Sequence, residues 1–374
     1  MTEKKLKPGW RRAKFGDVVR LSKSRCADPL AEGVERYVGL EHLEPGDLRI
    51  RSWGNVADGV TFTSVFHPGQ VLFGKRRAYQ RKVAIADFSG VCSGDIYVME
   101  TKDANVLLPD LLPFICQTDA FFDHAVGTSA GSLSPRTNWT SLADFDFVLP
   151  PVEEQHRTLA LLSAGLNTVE KLRAATEALP ILRRSMELQL LSMVGVPRQK
   201  VGEIAKFTSG KGIRVSDLPK NSSGTNPVPV FGGNGISGYT DTVMDGISEP
   251  TVVIGRVGQF CGVTSMTAGA CWITDNALYP AKMSQDIHPA FLAICLRASN
   301  LNQSKLGEYL PLITQEVVHK IEIPVPSRSK QSTAIEEFAQ ISATEMLLMG
   351  RLSRTRSFLQ KVASQMIEGD VNVV

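Results

Sequence analysis

The sequence predicts an α+β fold in which two similar globular domains of mixed β-sheet and helices are separated by two long antiparallel helices that form a coiled coil. This prediction depends on an internal repeat, two helical stretches of about 40 residues and the composition. A length of 374 residues indicates two or three domains. Hydrophobic residues make up 43% and charged residues 21%, which excludes a globally disordered chain.

The internal repeat joins the two halves of the chain. Residues 135–172 align with residues 311–348 at a constant offset of 176. The aligned pairs include Pro135 with Pro311, Pro150 with Pro326, and Gln155 with Gln331. Further towards the amino terminus, Val71-Leu-Phe-Gly resembles Val252-Val-Ile-Gly. A unit this long is not a solenoid repeat, so the pattern indicates a domain duplication.

Each half repeats the same order of elements. Short β-prone runs in a Gly-, Thr- and Ser-rich region come first, and an alternating segment typical of a half-buried strand follows at 144–149 or 320–325. A proline ends that segment. The long helical stretches then follow near 152–194 and near 328–367.

The length of these helices predicts their packing. About 40 residues correspond to about 60 Å, which is too long for one domain of ordinary size to bury the apolar stripe. Two such helices from one chain are expected to pack as an antiparallel coiled coil, the alternative being ordinary helical bundles. Pro180 predicts a kink or a break in the first helix. The expected division is 1–150 and 197–326 for the globular domains, and 151–196 and 327–374 for the helices.

Charge and cysteine content exclude some classes of protein. Forty-one Lys and Arg against 38 Asp and Glu leave a net charge of +3, so bulk positive charge cannot be what binds nucleic acid. The composition still allows a protein that recognises a specific DNA sequence through locally concentrated positive charge. Six scattered cysteines without zinc spacing indicate free thiols in a reducing cytoplasm. The polar start and the lack of an 18-residue apolar run predict no leader and no membrane span.

No catalytic motif is recognisable. The sequence contains no phosphate-binding P-loop, no HExxH, no GxSxG and no Asn-Pro-Pro-aromatic segment of the base-modifying methyltransferases. Asp95 with Glu100 and Lys102 could form part of a metal-dependent nuclease, but such triplets are common by chance. The pattern favours a recognition subunit without catalytic residues or a metal site.

Candidate recognition residues in the first half follow the buried strand at 71–74. The stretch Lys75-Arg-Arg-Ala-Tyr-Gln-Arg-Lys82 is the most basic of the chain, although such a run is often only solvated surface. Arginine forks suit guanine or phosphate, glutamine suits adenine, and tyrosine can stack or reach a phosphate. The predicted DNA-contacting residues are Lys75, Arg76, Arg77, Tyr79, Gln80, Arg81 and Arg136.

The second half has a less basic counterpart. Arg256-Val-Gly-Gln-Phe-Cys again places Arg and Gln after a strand, and four glycines near Asn234 permit tight turns and close backbone approach. The predicted contacts are Lys211, Arg214, Asn234, Tyr239, Arg256 and Gln259. Arg76, Arg77 and Arg256 are expected nearest the bases or phosphates.

With these motifs the sequence resembles the specificity (S) subunits of Type I restriction–modification systems. The resemblance covers essentially the whole chain. It is carried by Trp10, Phe15-Gly-Asp-Val-Val, Phe147-Val-Leu-Pro-Pro-Val-Glu-Glu-Gln155, Ile323-Pro-Val-Pro-Ser-Arg-Ser-Lys-Gln331 and Phe231-Gly-Gly-Asn-Gly-Ile-Ser-Gly-Tyr-Thr-Asp241. Ser327 departs from the second proline of the junction, and Pro180 interrupts the first spacer helix.

The resemblance implies a non-catalytic DNA-recognition subunit that serves phage defence. Two target-recognition domains would each read one half of an asymmetric bipartite sequence, with half-sites about 34–36 Å apart and the helices acting as a ruler. The implied partners are double-stranded DNA and two methyltransferase subunits using S-adenosylmethionine, with or without two nuclease-motor subunits using ATP and magnesium. The chain itself would hold none of these cofactors and would be cytoplasmic.

The sequence alone leaves three alternatives, of which it disfavours the third. The chain could serve a related system in which nuclease and methyltransferase are fused. It could be an interaction scaffold whose duplicated domains bind protein or glycan. An enzyme that acts alone is disfavoured by the missing motifs.

Overall fold

A computed structural model describes residues 6–304 and 311–369, without the side chain of Ser304. The ends of the predicted domains at 1–5 and 370–374, and residues 305–310 of the predicted second domain, lie outside this range. The chain divides into two compact units. Unit 1 consists of Met1–Arg173 with Gly350–Val374, and unit 2 consists of Ala174–Met349.

Unit 1 is built from short strands, a few short helices and parts of both long helices. In chain order the elements are β1 Arg11–Lys14, α1 Phe15–Val18, β2 Val19–Leu21, β3 Arg36–Val38, β4 Gly54–Asn55, β5 Ser64–Phe66, β6 Val71–Gly74, β7 Val83–Ile85, β8 Gly90–Cys92, β9 Ile96–Thr101, α2 Leu112–Cys116, α3 Asp119–Gly127, α4 Trp139–Ala143 and β10 Asp146–Leu149. The long helix α5, Val152–Leu191, then begins. Single 3-10 turns lie at Leu40–His42, Val56–Asp58, Ala78–Gln80 and Pro109–Leu111.

The strands of unit 1 form two four-stranded sheets and one strand pair. The sheet orders are β2-β9-β6-β7 and β4-β3-β8-β5, and β1 pairs with β10. Strand β6 lies between β9 and β7 in its sheet and is buried along its whole length. Phe15, Phe73 and Phe121 are fully buried and anchor the largest core of this unit.

Unit 2 repeats this plan. Its elements are β11 Arg198–Lys200, α6 Val201–Ile204, β12 Ala205–Ser209, β13 Val228–Gly232, β14 Gly235–Thr240, β15 Val252–Gly255, β16 Thr264–Met266, β17 Trp272–Ile273, β18 Ala277–Met283, α7 Pro289–Ala298, α8 Gln315–His319, β19 Glu322–Pro324 and the long helix α9, Arg328–Glu368. Its sheets run β12-β18-β15-β16 and β14-β13-β17, and β11 pairs with β19. Turns of 3-10 helix lie at Val215–Asp217 and Leu301–Ser304.

The two long helices contact each other within each unit. In unit 1 the buried residues Leu162, Val169 and Leu359 belong to one core. Gly165 lies directly against the Leu359 side chain, so a β-carbon there would collide with it. In unit 2, Arg183 Nη2 donates to Glu345 Oε2 at 3.0 Å and to Ser342 Oγ at 3.3 Å.

A buried glutamine fastens the start of each long helix. Gln155 Oε1 accepts from the Leu108 amide at 2.9 Å, and Nε2 donates to the carbonyls of Val106 at 2.8 Å and Pro150 at 3.0 Å. The second copy has the same three bonds: Gln331 Oε1 to the His288 amide at 2.8 Å, and Nε2 to the carbonyls of Asp286 at 2.7 Å and Pro326 at 2.9 Å. Both glutamines are fully buried. The matched glutamines of the repeat therefore join a strand end, a loop and a helix.

Charged side chains also tie a loop of unit 1 to α5. Asp47, which is 5% exposed, pairs with Arg51 and with Arg173 of α5, and Arg51 also pairs with Glu170 at 2.5 Å. Burial acts to raise the pKa of Asp47, but the hydrogen bond from Arg51 and the other nearby donors and charges lower it overall. Asp47 is therefore held as a carboxylate between the two guanidinium groups.

The predicted break at Pro180 is wrong. Helix α5 runs without interruption from Val152 to Leu191 with Pro180 inside it. Proline removes one amide donor, and the rest of a long ladder can continue when the ring is directed towards solvent. Pro180 is exposed, which fits this arrangement.

Replacing Pro180 with alanine is expected to raise the free energy of unfolding of unit 2 by about 1–3 kcal/mol, because proline inside a helix costs about 3 kcal/mol relative to alanine. Urea denaturation followed by circular dichroism measures the change. Ala175→Pro, at another exposed position of the same helix, serves as the mirror control and is expected to destabilise. Equal stability of Pro180→Ala and the parent chain would contradict a helix strained at this residue.

No helix in the described part of the chain is both long and apolar enough to cross a membrane.

Candidate nucleic-acid interface

Three segments of unit 1 meet at the end of β6. The residues after β6 contact the loop before β9 and the segment 130–137 through backbone hydrogen bonds. These bonds run from the Lys75 amide to the Asp95 carbonyl at 3.0 Å, from the Arg77 amide to the Pro135 carbonyl at 2.7 Å, and from the Thr137 amide to the Lys75 carbonyl at 3.1 Å. Arg76 and Arg136 also form a β-bridge. Residues distant in sequence are thus held side by side.

This junction brings three of the predicted arginines together. We call Arg76, Arg77 and Arg136 the arginine cluster. Asp95 joins two of them, with Oδ2 3.2 Å from Arg76 Nη1 and Oδ1 2.8 Å from Arg136 Nε. Ser134 Oγ accepts from Arg76 Nη2 at 3.0 Å and from Arg77 Nη2 at 3.3 Å. One carboxylate and one hydroxyl therefore orient three guanidinium groups.

The ionisation of Asp95 follows from these contacts. Its partial burial acts to raise the pKa, but the hydrogen bonds from Arg136 and Arg76 outweigh this and lower the pKa below its ordinary value. The hydrogen bond to Asp95 likewise raises the pKa of Arg136. The paired state thus exists at neutral pH and is lost only as the pH falls through the lowered pKa of Asp95.

Two features of the arginine cluster are energetically unfavourable in the isolated chain. Arg77 has φ 53°, the left-handed conformation that side-chain-bearing residues rarely adopt. The Nε atoms of Arg76 and Arg77 are buried without a hydrogen-bond partner among the described residues. Strain and unpaired donors are found more often at functional sites than elsewhere.

Other predicted residues of the first half lie around the arginine cluster. Lys75 places Nζ 4.7 Å from the centre of the Tyr97 ring. Tyr79 and Gln80 lie in the 3-10 turn that follows, and the Tyr79 side chain is exposed. The Tyr79 ring is therefore accessible for stacking, whereas the Lys75 ammonium group already makes a cation–π contact with Tyr97.

Arg81 is directed elsewhere. Its Nη2 lies 2.6 Å from Asp119 Oδ1 and 3.1 Å from the Gln117 carbonyl, and its guanidinium stacks on Phe122 at 4.7 Å. Arg81 also lines a cavity of about 240 Å³ in unit 1. Its contacts are those of a residue that fastens α3 to the 3-10 turn, so it is not part of the arginine cluster.

In unit 2 the structure brings the Asn234 turn next to the residues that follow β15. Asn234 is exposed at the turn between β13 and β14, before Gly235 at φ +86°. A β-carbon built on Gly233 would lie 3.3 Å from the Asn276 carbonyl and 3.6 Å from that of Val257, so glycine permits this close approach.

The remaining predicted residues of unit 2 are spread out. Arg256 Nη1 donates to the Asp275 carbonyl at 3.2 Å, and Gln259 is exposed in the loop after it. Tyr239 lies on β14 opposite Pro229. Lys211 and Arg214 lie on exposed segments near Asp245 and Asp217, at 3.5 Å and 3.6 Å.

The backbone of the junction is the same in both units although the side chains differ. Unit 2 has hydrogen bonds from the Arg256 amide to the Asn276 carbonyl at 2.9 Å, from the Gly258 amide to the Pro311 carbonyl at 2.9 Å, and from the Ile313 amide to the Arg256 carbonyl at 2.8 Å. Val257 and Leu312 form the matching β-bridge. Uncharged residues thus occupy the positions of the arginine cluster and Asp95, as the pairs Val257 for Arg76, Gly258 for Arg77, Asn276 for Asp95 and Leu312 for Arg136 show.

Asp95 and Ser134 lie outside the set of residues that the sequence predicts for recognition. As a nuclease carboxylate, Asp95 lacks the partners that the sequence offers, because Glu100 binds Arg20 and Gln70, and Lys102 Nζ binds the Gly16 carbonyl. Among the residues described, no group of three or more His, Cys, Asp or Glu could hold a metal ion. Alignment of Asp95 with Asn276 in the repeat was the signal that could have singled it out.

Comparison with known proteins relates the chain to one class of subunit. No protein-family model matches it. It is 32% identical over 175 residues to the Type I restriction enzyme EcoDI specificity subunit of Escherichia coli, covering 43% of this chain and 36% of that subunit. It is 26% identical over 175 residues to the EcoprrI specificity subunit of Escherichia coli, covering 46% and 42%. The matched segment thus spans less than half the length of either relative.

Solved structures match over nearly the whole chain. A chain from a study of complex assembly in the type I R-M system has TM-score 0.65 and 19% identity, covering 98% of this chain and 100% of that one. The S subunit from M. genitalium has TM-score 0.59 and 14% identity at 98% coverage of both chains. The HsdS subunit from Thermoanaerobacter tengcongensis has TM-score 0.51 and 19% identity at 99% of both. These matches confirm the predicted α+β fold, and the chain is a homologue of Type I restriction enzyme specificity subunits with the fold of an HsdS subunit.

Proposed function

We propose that this chain is the sequence-specific DNA-recognition subunit of a Type I restriction–modification complex. Each unit would read one half of an asymmetric bipartite target, and the long helices would set the distance between the two half-sites. In this proposal the target-recognition domains are residues 1–150 and 197–326, and the spacer helices are residues 151–196 and 327–374.

One observation carries the proposal. The two units build the same backbone junction after a buried strand, yet the positions of the arginine cluster and Asp95 hold charged side chains in unit 1 and uncharged residues in unit 2. A constant scaffold with different side chains at one position is what two readers of different base sequences need. Arginine forks recognise guanine edges or phosphates, whereas apolar side chains contact the thymine methyl group.

The proposed partners follow from the relatives. Double-stranded DNA would be bound together with two methyltransferase subunits, which would supply S-adenosylmethionine, with or without nuclease-motor subunits that use ATP and magnesium. This chain would hold no cofactor, take no catalytic part and act in the cytoplasm. The net charge of +3 fits a subunit that concentrates positive charge locally and shares non-specific DNA binding with its partners.

Mapping methylated adenines across the genome with and without the gene tests this function. Deleting the gene is expected to abolish methylation at one bipartite motif, because the methyltransferase would lose its guide to the target. Restoring the gene in trans is expected to restore the same motif.

The controls separate the alternatives. Unchanged methylation in the deletion strain, with the partner genes expressed, would contradict DNA recognition and leave the scaffold alternative. Purifying the complex and identifying its subunits distinguishes separate methyltransferase and nuclease chains from a fused one.

A further inference from the structure

The arginine cluster points to a specific chemistry of one half-site. We infer that Arg76, Arg77 and Arg136 read a guanine in the half-site bound by unit 1, and that Asp95 is the positioning residue that orients two of them. This inference rests on the proposed function and deepens it.

The backbone path of the junction does not depend on the charges of the arginine cluster. Unit 2 forms the same three backbone hydrogen bonds and the same bridge with Val257, Asn276 and Leu312. The charged group in unit 1 therefore adds nothing that the junction requires for its backbone path. Arg77 nevertheless keeps the left-handed backbone at φ 53°, and strain of this kind occurs most often where a residue binds a ligand.

The position of Asp95 favours a base edge over a phosphate as the acceptor. Guanidinium donors bind either a phosphate or the O6 and N7 atoms of guanine. Asp95 is only 19% exposed at its side chain and lies between Arg76 and Arg136. The Asp95 carboxylate lowers the net positive charge of the arginine cluster, which weakens the attraction of a phosphate more than that of an uncharged base edge. An arginine fork can bind either acceptor, but discrimination between bases needs forks held in one orientation.

Asp95 and Ser134 hold the guanidinium groups of Arg76 and Arg136 in fixed orientations. Arg136 donates to Asp95 through both Nε and Nη2, at 2.8 Å and 3.5 Å, and Arg76 is held by Asp95 and Ser134 from two sides. Without the carboxylate both side chains would gain rotamer freedom and could turn to phosphates. Asp95 thus lowers the affinity for DNA of any sequence and increases the discrimination between bases.

The test is a selection of bound fragments from random DNA by the complex of this chain with its methyltransferase subunits, carried out for the parent chain and Asp95→Asn. Asparagine stands at this position in unit 2, so the variant is expected to fold. The parent complex is expected to select a bipartite motif with guanine in one half. Asp95→Asn is expected to lose about ten-fold preference for that guanine, with the other half unchanged and non-specific binding increased.

Two further variants sharpen the result. Asp58→Asn removes an exposed carboxylate of the same unit and is expected to select the parent motif. Arg136→Leu, which copies Leu312, is expected to lose the same guanine as Asp95→Asn. Loss confined to one half-site is a readout that a general loss of structure would not produce.

Other outcomes overturn the inference in distinguishable ways. Arg136→Leu could instead keep the parent motif but bind all sequences more weakly, with about one ion fewer released on binding. That result would show that the arginine cluster binds phosphates. Loss spread over both half-sites would assign Asp95 a structural role. A parent complex that selects no bipartite motif would overturn the proposed function itself.

Discussion

Replacing Gln155 with leucine is expected to lower the free energy of unfolding of unit 1 by about 3–5 kcal/mol. Leucine fills a similar volume but leaves the Leu108 amide and the carbonyls of Val106 and Pro150 buried without their partner. Each such group costs about 1–3 kcal/mol, so the sum is a large part of the stability of a domain. The start of helix α5 and the 106–108 loop would separate first.

Hydrogen exchange resolved by peptide measures this effect, because it reports the two units separately. Gln155→Leu is expected to speed exchange in unit 1, and Gln331→Leu to do the same in unit 2. Gln189→Leu, at an exposed position in the part of α5 that belongs to unit 2, controls for the change from glutamine to leucine itself. It is expected to leave the protection of unit 1 unchanged and to change stability by less than about 0.5 kcal/mol. Protection of unit 1 as strong in Gln155→Leu as in the control would show that these bonds contribute little.

Replacing Arg77 with glycine is expected to leave stability within about 1 kcal/mol of the parent chain while discrimination at one half-site falls about ten- to a hundred-fold. Glycine occupies the matching position of unit 2, Gly258, at φ +84°. The left-handed backbone is therefore relieved of strain while the guanidinium is lost. The glycine's greater freedom in the unfolded chain offsets part of the gain.

Arg77→Ala separates the backbone from the side chain. Alanine removes the same guanidinium but keeps the unfavourable φ, so it is expected to be about 1 kcal/mol less stable than Arg77→Gly and equally poor in discrimination. Urea denaturation and competition binding with single-base variants of the target measure the two effects. If Arg77→Gly discriminated between single-base variants of the target as well as the parent chain does, Arg77 would not be a base-reading residue.

Much of the fold could be predicted from local patterns. The alternating segments appear as β10 and β19, and the stretches predicted near 152–194 and 328–367 appear as Val152–Leu191 and Arg328–Glu368. Periodicity and the terminating prolines are local signals, so they survive in a single sequence. The break expected at Pro180 does not occur, because the tolerance of a long exposed helix for one proline depends on its surroundings.

The arrangement of the predicted recognition residues could be anticipated only in part. Charge and position in the sequence single out Arg76, Arg77 and Arg136, and the structure places these three side by side. Arg81 belongs to the same basic run, but its contacts are with Asp119 and Phe122. Sequence proximity could not separate these roles, because adjacent side chains in a turn point in different directions.

The duplication, the order of strand, proline and helix in each half, and the resemblance to specificity subunits can all be read from the order of the residues. The contacts by which Asp95 and Ser134 orient the arginine cluster, and by which Gln155 and Gln331 each anchor the start of one long helix, are visible only in the folded chain. The physical reason is that periodicity and turn chemistry act between near neighbours. A hydrogen bond between residues far apart in the chain forms only once the sheets have brought their backbones together.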